Sequence, residues 1–167
     1  MEEFDNMLLE RFNIRSAEES DVKLILQFIK GLGEYEKLSH QVVATEEKLR
    51  KTLFKQKMAE VFIGEFGGEP VGFMLFFHNY STFLGQAGIY LEDLYIIPEM
   101  RGKGFGKIML KHLAKLAVDR DCGRLEWACL DWNEPSICFY KGLGAKALDD
   151  WTVYRVAGET LVEMAKE

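Results

Sequence analysis

The stretch IYLEDLYIIPEMRGKGFGK, residues 89–107, decides how the rest of the chain is read. Its first part, Ile89, Tyr90, Leu91, Leu94, Tyr95, Ile96 and Ile97, closed by Pro98, is an apolar, β-favouring run. A run without alternation predicts a strand covered on both faces. Glu92 and Asp93 interrupt it. An unpaired carboxylate in such a strand is costly, so each needs a partner, a proton or a task. Adjacent strand residues point to opposite faces, so the two should serve different roles unless a bulge intervenes. Past Pro98 the chain turns into RGKGFGK, followed over 106–119 by Ile108, Met109, Leu113, Leu116 and Ala117 on one helical face. Backbone N–H groups at a helix start, made accessible by Gly102, Gly104 and Gly106, suit an anionic phosphate. Arg101, Lys103 and Lys107 add positive charge. Two common phosphate loops fail on spacing. Lys107 is followed by Ile108 where a Walker loop needs Ser or Thr, and stands where a Rossmann fingerprint needs Gly or Ala.

Working outward, residues 11–16 read as a short strand, and Ser16 with Glu19 as a capping box before Val22, Ile25, Leu26 and Ile29 at helical spacing. This helix is expected to stop near Gly31 or Gly33. Thr45 with Glu46 and Glu47 marks a second helix start carrying Leu49 and Leu53. AEVFIGEF and VGFMLFF flank GGEP and form an expected hairpin. HNYSTFLGQAG reads as a loop. RLEWACL reads as a further strand, DWNEP as a turn, and PSICFYKGL as a helix opened by Pro135 and stopped at Gly142 or Gly144. ALDDWTVYRVAG is expected to add a last strand or strand pair, and ETLVEMAK a short tail helix or extended end. The order βααβββαβαβ predicts an α/β fold with a mixed sheet, as one domain over residues 1–167.

Hydrophobic content of 48% over 167 residues with three prolines indicates a packed globule. The formal charge of −6, from 27 acidic and 21 basic residues, argues against a broad nucleic-acid surface and is mildly compatible with a cationic substrate. No apolar run is long enough for a bilayer, and MEEFDNMLLE lacks the features of a secretory signal, so no membrane partner is expected. Cys122, Cys129 and Cys138 form no CxxC pair and read as reduced cytosolic thiols. His40, His78 and His112 are scattered, and no metal cluster emerges.

Arg101-x-x-Gly104-x-Gly106 resembles the pyrophosphate-binding loop of the GNAT superfamily of N-acetyltransferases, [RQ]-x-x-G-x-[GA]. YLEDLYIIPEMRGKGFGKIML, WNEPSICFYKGLGA and EYEK extend the resemblance to the spermidine/spermine (diamine) branch, including its thialysine-acetylating members, from Ile14 to the end. That resemblance implies a mostly antiparallel mixed sheet flanked by helices, with acetyl-CoA as co-substrate where two central strands splay. It implies Glu92 as base for the incoming ammonium and Tyr140 as proton donor to the leaving sulfur. It places the coenzyme against Leu94, Tyr95 and Ile96, against the loop Arg101, Gly102, Lys103, Gly104, Phe105, Gly106 and Lys107, and against Asn133 and Ser136. On the amine side it implies Tyr35 and Glu36 together with Glu92 and Asp93, and it implies a homodimer.

The chemistry is consistent with those roles. An alkylammonium with a reference pKa of about 10.4 must lose a proton before attack, and a departing thiolate needs one, so a carboxylate and a phenol serve both needs. Asp93 has two readings, a cationic-site carboxylate or a structural one, and Asn133 can equally be a turn residue before Pro135. One segment departs from the polyamine enzymes. Where they carry an acidic residue and a tryptophan before the opening strand, this chain has YSTFLGQAG, with Ser81, Thr82 and Phe83. A long polycation loses a charge partner and a cation–π platform there, so a diamine or lysine-like amino acid fits at least as well. A protein amine as acceptor, or a coenzyme-binding module without catalysis, are the alternatives.

Overall fold

Five strands form one sheet in the order β1 (Phe12–Ser16), β2 (Glu60–Phe66), β3 (Glu69–Ser81), β4 (Gln86–Ile96) and β5 (Leu125–Trp127). All neighbours are antiparallel except β4 and β5, which run parallel, so the sheet is mixed as expected. The computed structural model describes residues 11–166, in two compact units that divide after Ala128. The sheet, helix α1 (Val22–Tyr35), the single turn α2 (Glu46–Leu49) and helix α3 (Phe105–Asp119) belong to the first unit; helices α4 (Glu134–Gly142) and α5 (Gly158–Met164) belong to the second.

Each face of the sheet carries a helix because its strands present large apolar side chains on both sides. Toward α1, Val22, Ile25 and Phe28 pack with Val61, Ile63, Phe73 and Tyr95, joined by Leu49 and Leu53. On α3, Phe105 stacks on Phe12 at 4.4 Å, and His112 meets Phe62 edge-on at 5.0 Å. Thr45 caps α2 as expected, its hydroxyl accepting the Lys48 N–H at 3.2 Å.

Several expectations are corrected. The first helix is not capped by Ser16. A 3-10 turn, Glu19–Asp21, precedes it, where the Glu18 N–H donates to the Asp21 carboxylate at 2.8 Å and Arg15 holds that carboxylate below its usual range. Nor does α1 stop at Gly31 or Gly33; it runs to Tyr35. A β-carbon at Gly31 would lie 2.5 Å from the Tyr95 hydroxyl, so this glycine serves a close approach between helix and sheet, not a stop. The expected loop HNYSTFLGQAG is mostly hairpin. β3 continues to Ser81 and β4 starts at Gln86, because the β-favouring residues around Tyr80 find partners across the ladder. No strand forms over 145–157 among the described residues, where Trp151, Val153 and Tyr154 are exposed; that segment has no ladder partner to satisfy it. The tail forms the short helix α5, the first of its two expected alternatives.

Candidate active site

The question posed by Glu92 and Asp93 is answered by the register of β4. Leu75 pairs with Asp93 while the next residue, Phe76, pairs with Leu91, so Glu92 is the extra residue of a β-bulge. Tyr95 packs against Phe28 of α1 at 6.1 Å, and Asp93, two residues earlier, shares that face. The bulge removes the strict alternation that would separate the two carboxylates. Glu92 is exposed and Asp93 half-buried. Burial pushes the Asp93 carboxyl up to about 7, helped by the charges of Glu92 and then Glu36. Glu36, just past the end of α1, is itself raised by burial. Three acidic side chains therefore share one field, and their mutual repulsion favours a cation among them.

This predicts an inverted pH effect on stability. A carboxyl whose folded pKa lies above its unfolded value binds more protons in the folded state, so stability falls as pH rises from about 4 to about 7. Asp93→Asn should therefore melt at a higher temperature than wild type at pH 8 and at nearly the same temperature at about pH 4, near the unfolded value. Scanning calorimetry at the two values checks it; a uniform shift, or destabilisation at pH 8, would mean that Asp93 is held ionised by a partner.

The bulge also changes which backbone groups face outward. The Ile89 N–H donates to Arg124 on the β5 side, whereas beyond the bulge the Ile97 N–H donates to Val71 on the β3 side. Alternation then sends the N–H and C=O groups of Leu94 and Ile96 to the edge away from β3. β5 pairs only with Ile89 to Leu91, so among the described strands nothing pairs with that edge from Glu92 onward. An extended ligand can add there as a strand does.

β4 leads through the turn Pro98–Met100 into the glycine loop and α3. Gly104 sits at the N-cap with φ +84°, a conformation costly for other residues, and a β-carbon at Gly106 would meet no protein atom within 4 Å. The first intrahelical bond is from the Ile108 N–H to the Gly104 carbonyl at 3.1 Å, so the preceding amides have no helical acceptor. Lys107 is exposed, and the Lys103 ammonium donates to the Glu99 carbonyl at 3.1 Å. The loop suits an anion, and the open edge beside it suits an extended ligand.

Other site residues behave differently from the sequence reading. The side chains of Tyr95 and Phe105 are buried in the core, so only their main chains can meet a ligand. Arg101 does not extend into the loop's anion side. Its Nε donates to the Ile96 carbonyl at 2.8 Å, and its guanidinium lies over the rings of Tyr35 at 4.5 Å and Tyr95 at 5.4 Å. The bulge is the exception that the sequence reading left open for Glu92 and Asp93, whereas nothing in the sequence points to this stack. The only sequence signal for the bulge is a pair of carboxylates in an apolar run.

In the second unit Asn133 is buried and caps α4, its Oδ1 accepting the Ser136 N–H at 3.4 Å. The turn reading of Asn133 is therefore correct as far as its local role goes. Tyr140 is half-buried on α4, with its ring 5.2 Å from that of Phe139.

Residues 29–145 match the acetyltransferase (GNAT) family. The chain belongs to that family. Relatives of this GNAT acetyltransferase include the thialysine N-epsilon-acetyltransferase of Bos taurus, 42% identical, covering 91% of this chain and 96% of that protein. The L-ornithine N5-acetyltransferase NATA1 of Arabidopsis thaliana is 32% identical, covering 92% and 87%. Among solved structures, an integron cassette protein of V. cholerae superposes with a TM-score of 0.77 at 26% identity, covering 94% of this chain and 99% of that one. Among the described residues there is no group of His, Cys, Asp or Glu arranged for a metal ion, and no helix long and apolar enough to cross a membrane.

Proposed function

We propose that this enzyme transfers the acetyl group of acetyl-CoA by direct attack to the primary amine of a small substrate, with a lysine-like amino acid or diamine favoured over a polyamine. The observation that carries this reading is the bulge at Glu92, which sets two carboxylates beside an open strand edge leading into an anion-binding loop. When bound, the coenzyme supplies an activated acetyl thioester. The loop amides from Gly102 to Lys107 hold its pyrophosphate, and the outward N–H and C=O of Leu94 with the N–H of Ile96, whose carbonyl is taken by Arg101, hold its extended arm. The Leu94 N–H is the donor for the thioester carbonyl oxygen as negative charge develops on it. Asn133 and Ser136 contribute further coenzyme contacts.

Glu92, exposed to solvent, removes the ammonium proton through water, and Tyr140 gives a proton to the leaving sulfur. Asp93 and Glu36 attract the cation. Because Asp93 titrates at about 7, the amine KM should fall as pH rises through that value. The names of the relatives support a side-chain amine, since thialysine and ornithine both carry one. The hairpin turn at 82–85, with Phe83 exposed and no acidic residue, supports a substrate shorter than spermine. One functional domain over residues 1–167 is part of the proposal, supported by a family match over residues 29–145 that runs across Ala128. A cytoplasmic location is part of the proposal, supported by three cysteines that form no CxxC pair in the sequence.

A panel of thialysine, ornithine, lysine, short diamines, spermidine and a lysine-containing peptide, with release of free thiol from acetyl-CoA as readout, tests the reading. Preference for the amino acids or diamines is expected. Preference for the peptide would favour a protein acceptor, and binding without thiol release would favour a non-catalytic module. A homodimer is also proposed, supported by the exposed Trp151, Val153 and Tyr154. Sedimentation equilibrium showing only a 19.2 kDa species at micromolar concentration would refute it.

A further inference from the structure

We infer that Arg101 is a positioning residue that ties the glycine loop to the end of α1 carrying Tyr35 and Glu36, so that the two substrate sites are coupled through one side chain. The inference rests on the acetyltransferase reading above for which ligand lies on which side. Three contacts carry it. Arg101 Nε donates to the Ile96 carbonyl at 2.8 Å, which anchors the side chain to the last residue of β4. Its guanidinium lies 4.5 Å from the Tyr35 ring, in the last turn of α1. It also lies 5.4 Å from the ring of Tyr95, which is buried against α1 where Gly31 leaves room for the phenol. The flat cation is therefore held between a helix end and a strand end, next to the loop's first glycine.

The geometry needs a planar cation, not merely a positive charge. Guanidinium stacks on aromatic faces and donates in its own plane at once, whereas an ammonium is a point charge on a flexible stem. Without Arg101, Tyr35 loses this ring contact, and the end of α1 that carries Glu36 loses its tie to the last residue of β4. The effect should fall on binding of the amine more than on the chemical step, because Glu92 is held by the strand register and not by this contact.

Arg101→Ala is expected to raise the amine KM about two- to thirty-fold, the range spanned by a cation–π contact, with kcat at saturating amine nearly unchanged. Arg101→Lys should not restore it. Arg101→Ala should add little further loss in a Tyr35→Leu background. Independently of turnover, hydrogen exchange of the free protein should show faster exchange at residues 33–37 in Arg101→Ala, with the rest of α1 unchanged. Full rescue by lysine, additive losses in the Tyr35→Leu background, or unaltered exchange at 33–37 would each overturn the inference. A wild-type protein that acetylates no amine would instead overturn the acetyltransferase reading, leaving the exchange result to decide the role of Arg101.

Discussion

Replacing Tyr140 by phenylalanine should lower turnover by about a hundred- to ten-thousand-fold, the span of general acid–base contributions, while folding and coenzyme affinity survive. The substitution keeps the ring that packs beside Phe139 and removes only the hydroxyl. Glu92→Gln should also slow turnover, with a different pH signature. A base is needed only while the amine carries a proton, so this defect should shrink as pH approaches the amine's own pKa, about 10.4 for an alkylamine. A donor to the leaving sulfur is needed at every pH, so the Tyr140→Phe defect should not shrink in the same way. Steady-state rates at saturating coenzyme from about pH 6.5 to 10 separate the two roles. Normal turnover by Tyr140→Phe would mean that another group or water is the acid.

The second large effect is expected in the loop. Gly104→Val should raise the acetyl-CoA dissociation constant on the order of a hundredfold, as expected if two charge-assisted amide contacts are lost. It changes two things together: Gly104 has φ +84°, which valine resists, and a β-branched side chain intrudes on the phosphate. Gly106→Val separates them. Gly106 is not among the left-handed residues, and its added β-carbon would meet no protein atom, so the fold should be untouched while the phosphate's space is filled. Both variants should lose coenzyme affinity, with Gly106→Val keeping the wild-type melting temperature. Arg101→Ala should cost less coenzyme affinity than either, since its guanidinium is turned to the sheet. Titration by calorimetry checks the order; an equal or larger loss from Arg101→Ala in folded protein would argue for side-chain rather than amide recognition.

Much of this architecture could be read from the chain because its signals are local. The apolar strand ending at Ile96, the glycines before Phe105 and the periodicity of α3 lie within thirty-odd consecutive residues and each specifies its own element. What could not be read depends on pairing. A bulge is a property of two strands, and only the slip between Leu75 and Phe76 shows that Glu92 is the residue left over. Gly31 and Gly33 resemble helix stops until Tyr95 and Val42 are seen against them. Arg101 resembles a phosphate ligand by its place in the motif, and only the rings of Tyr35 and Tyr95 reveal where it rests. The segment 145–157 has β-favouring residues, Trp151, Val153 and Tyr154, yet propensity alone does not make a strand without a neighbour to bond.

Direct transfer on the bulged strand is tested most simply by a single-turnover experiment. Wild-type enzyme loaded with acetyl-CoA is mixed with thialysine or ornithine and quenched at intervals, and both the amine and the intact protein are weighed by mass spectrometry. Direct attack predicts that acetylated amine accumulates while the protein never gains an acetyl group. An acetylated protein that forms before the product and decays into it would contradict the account.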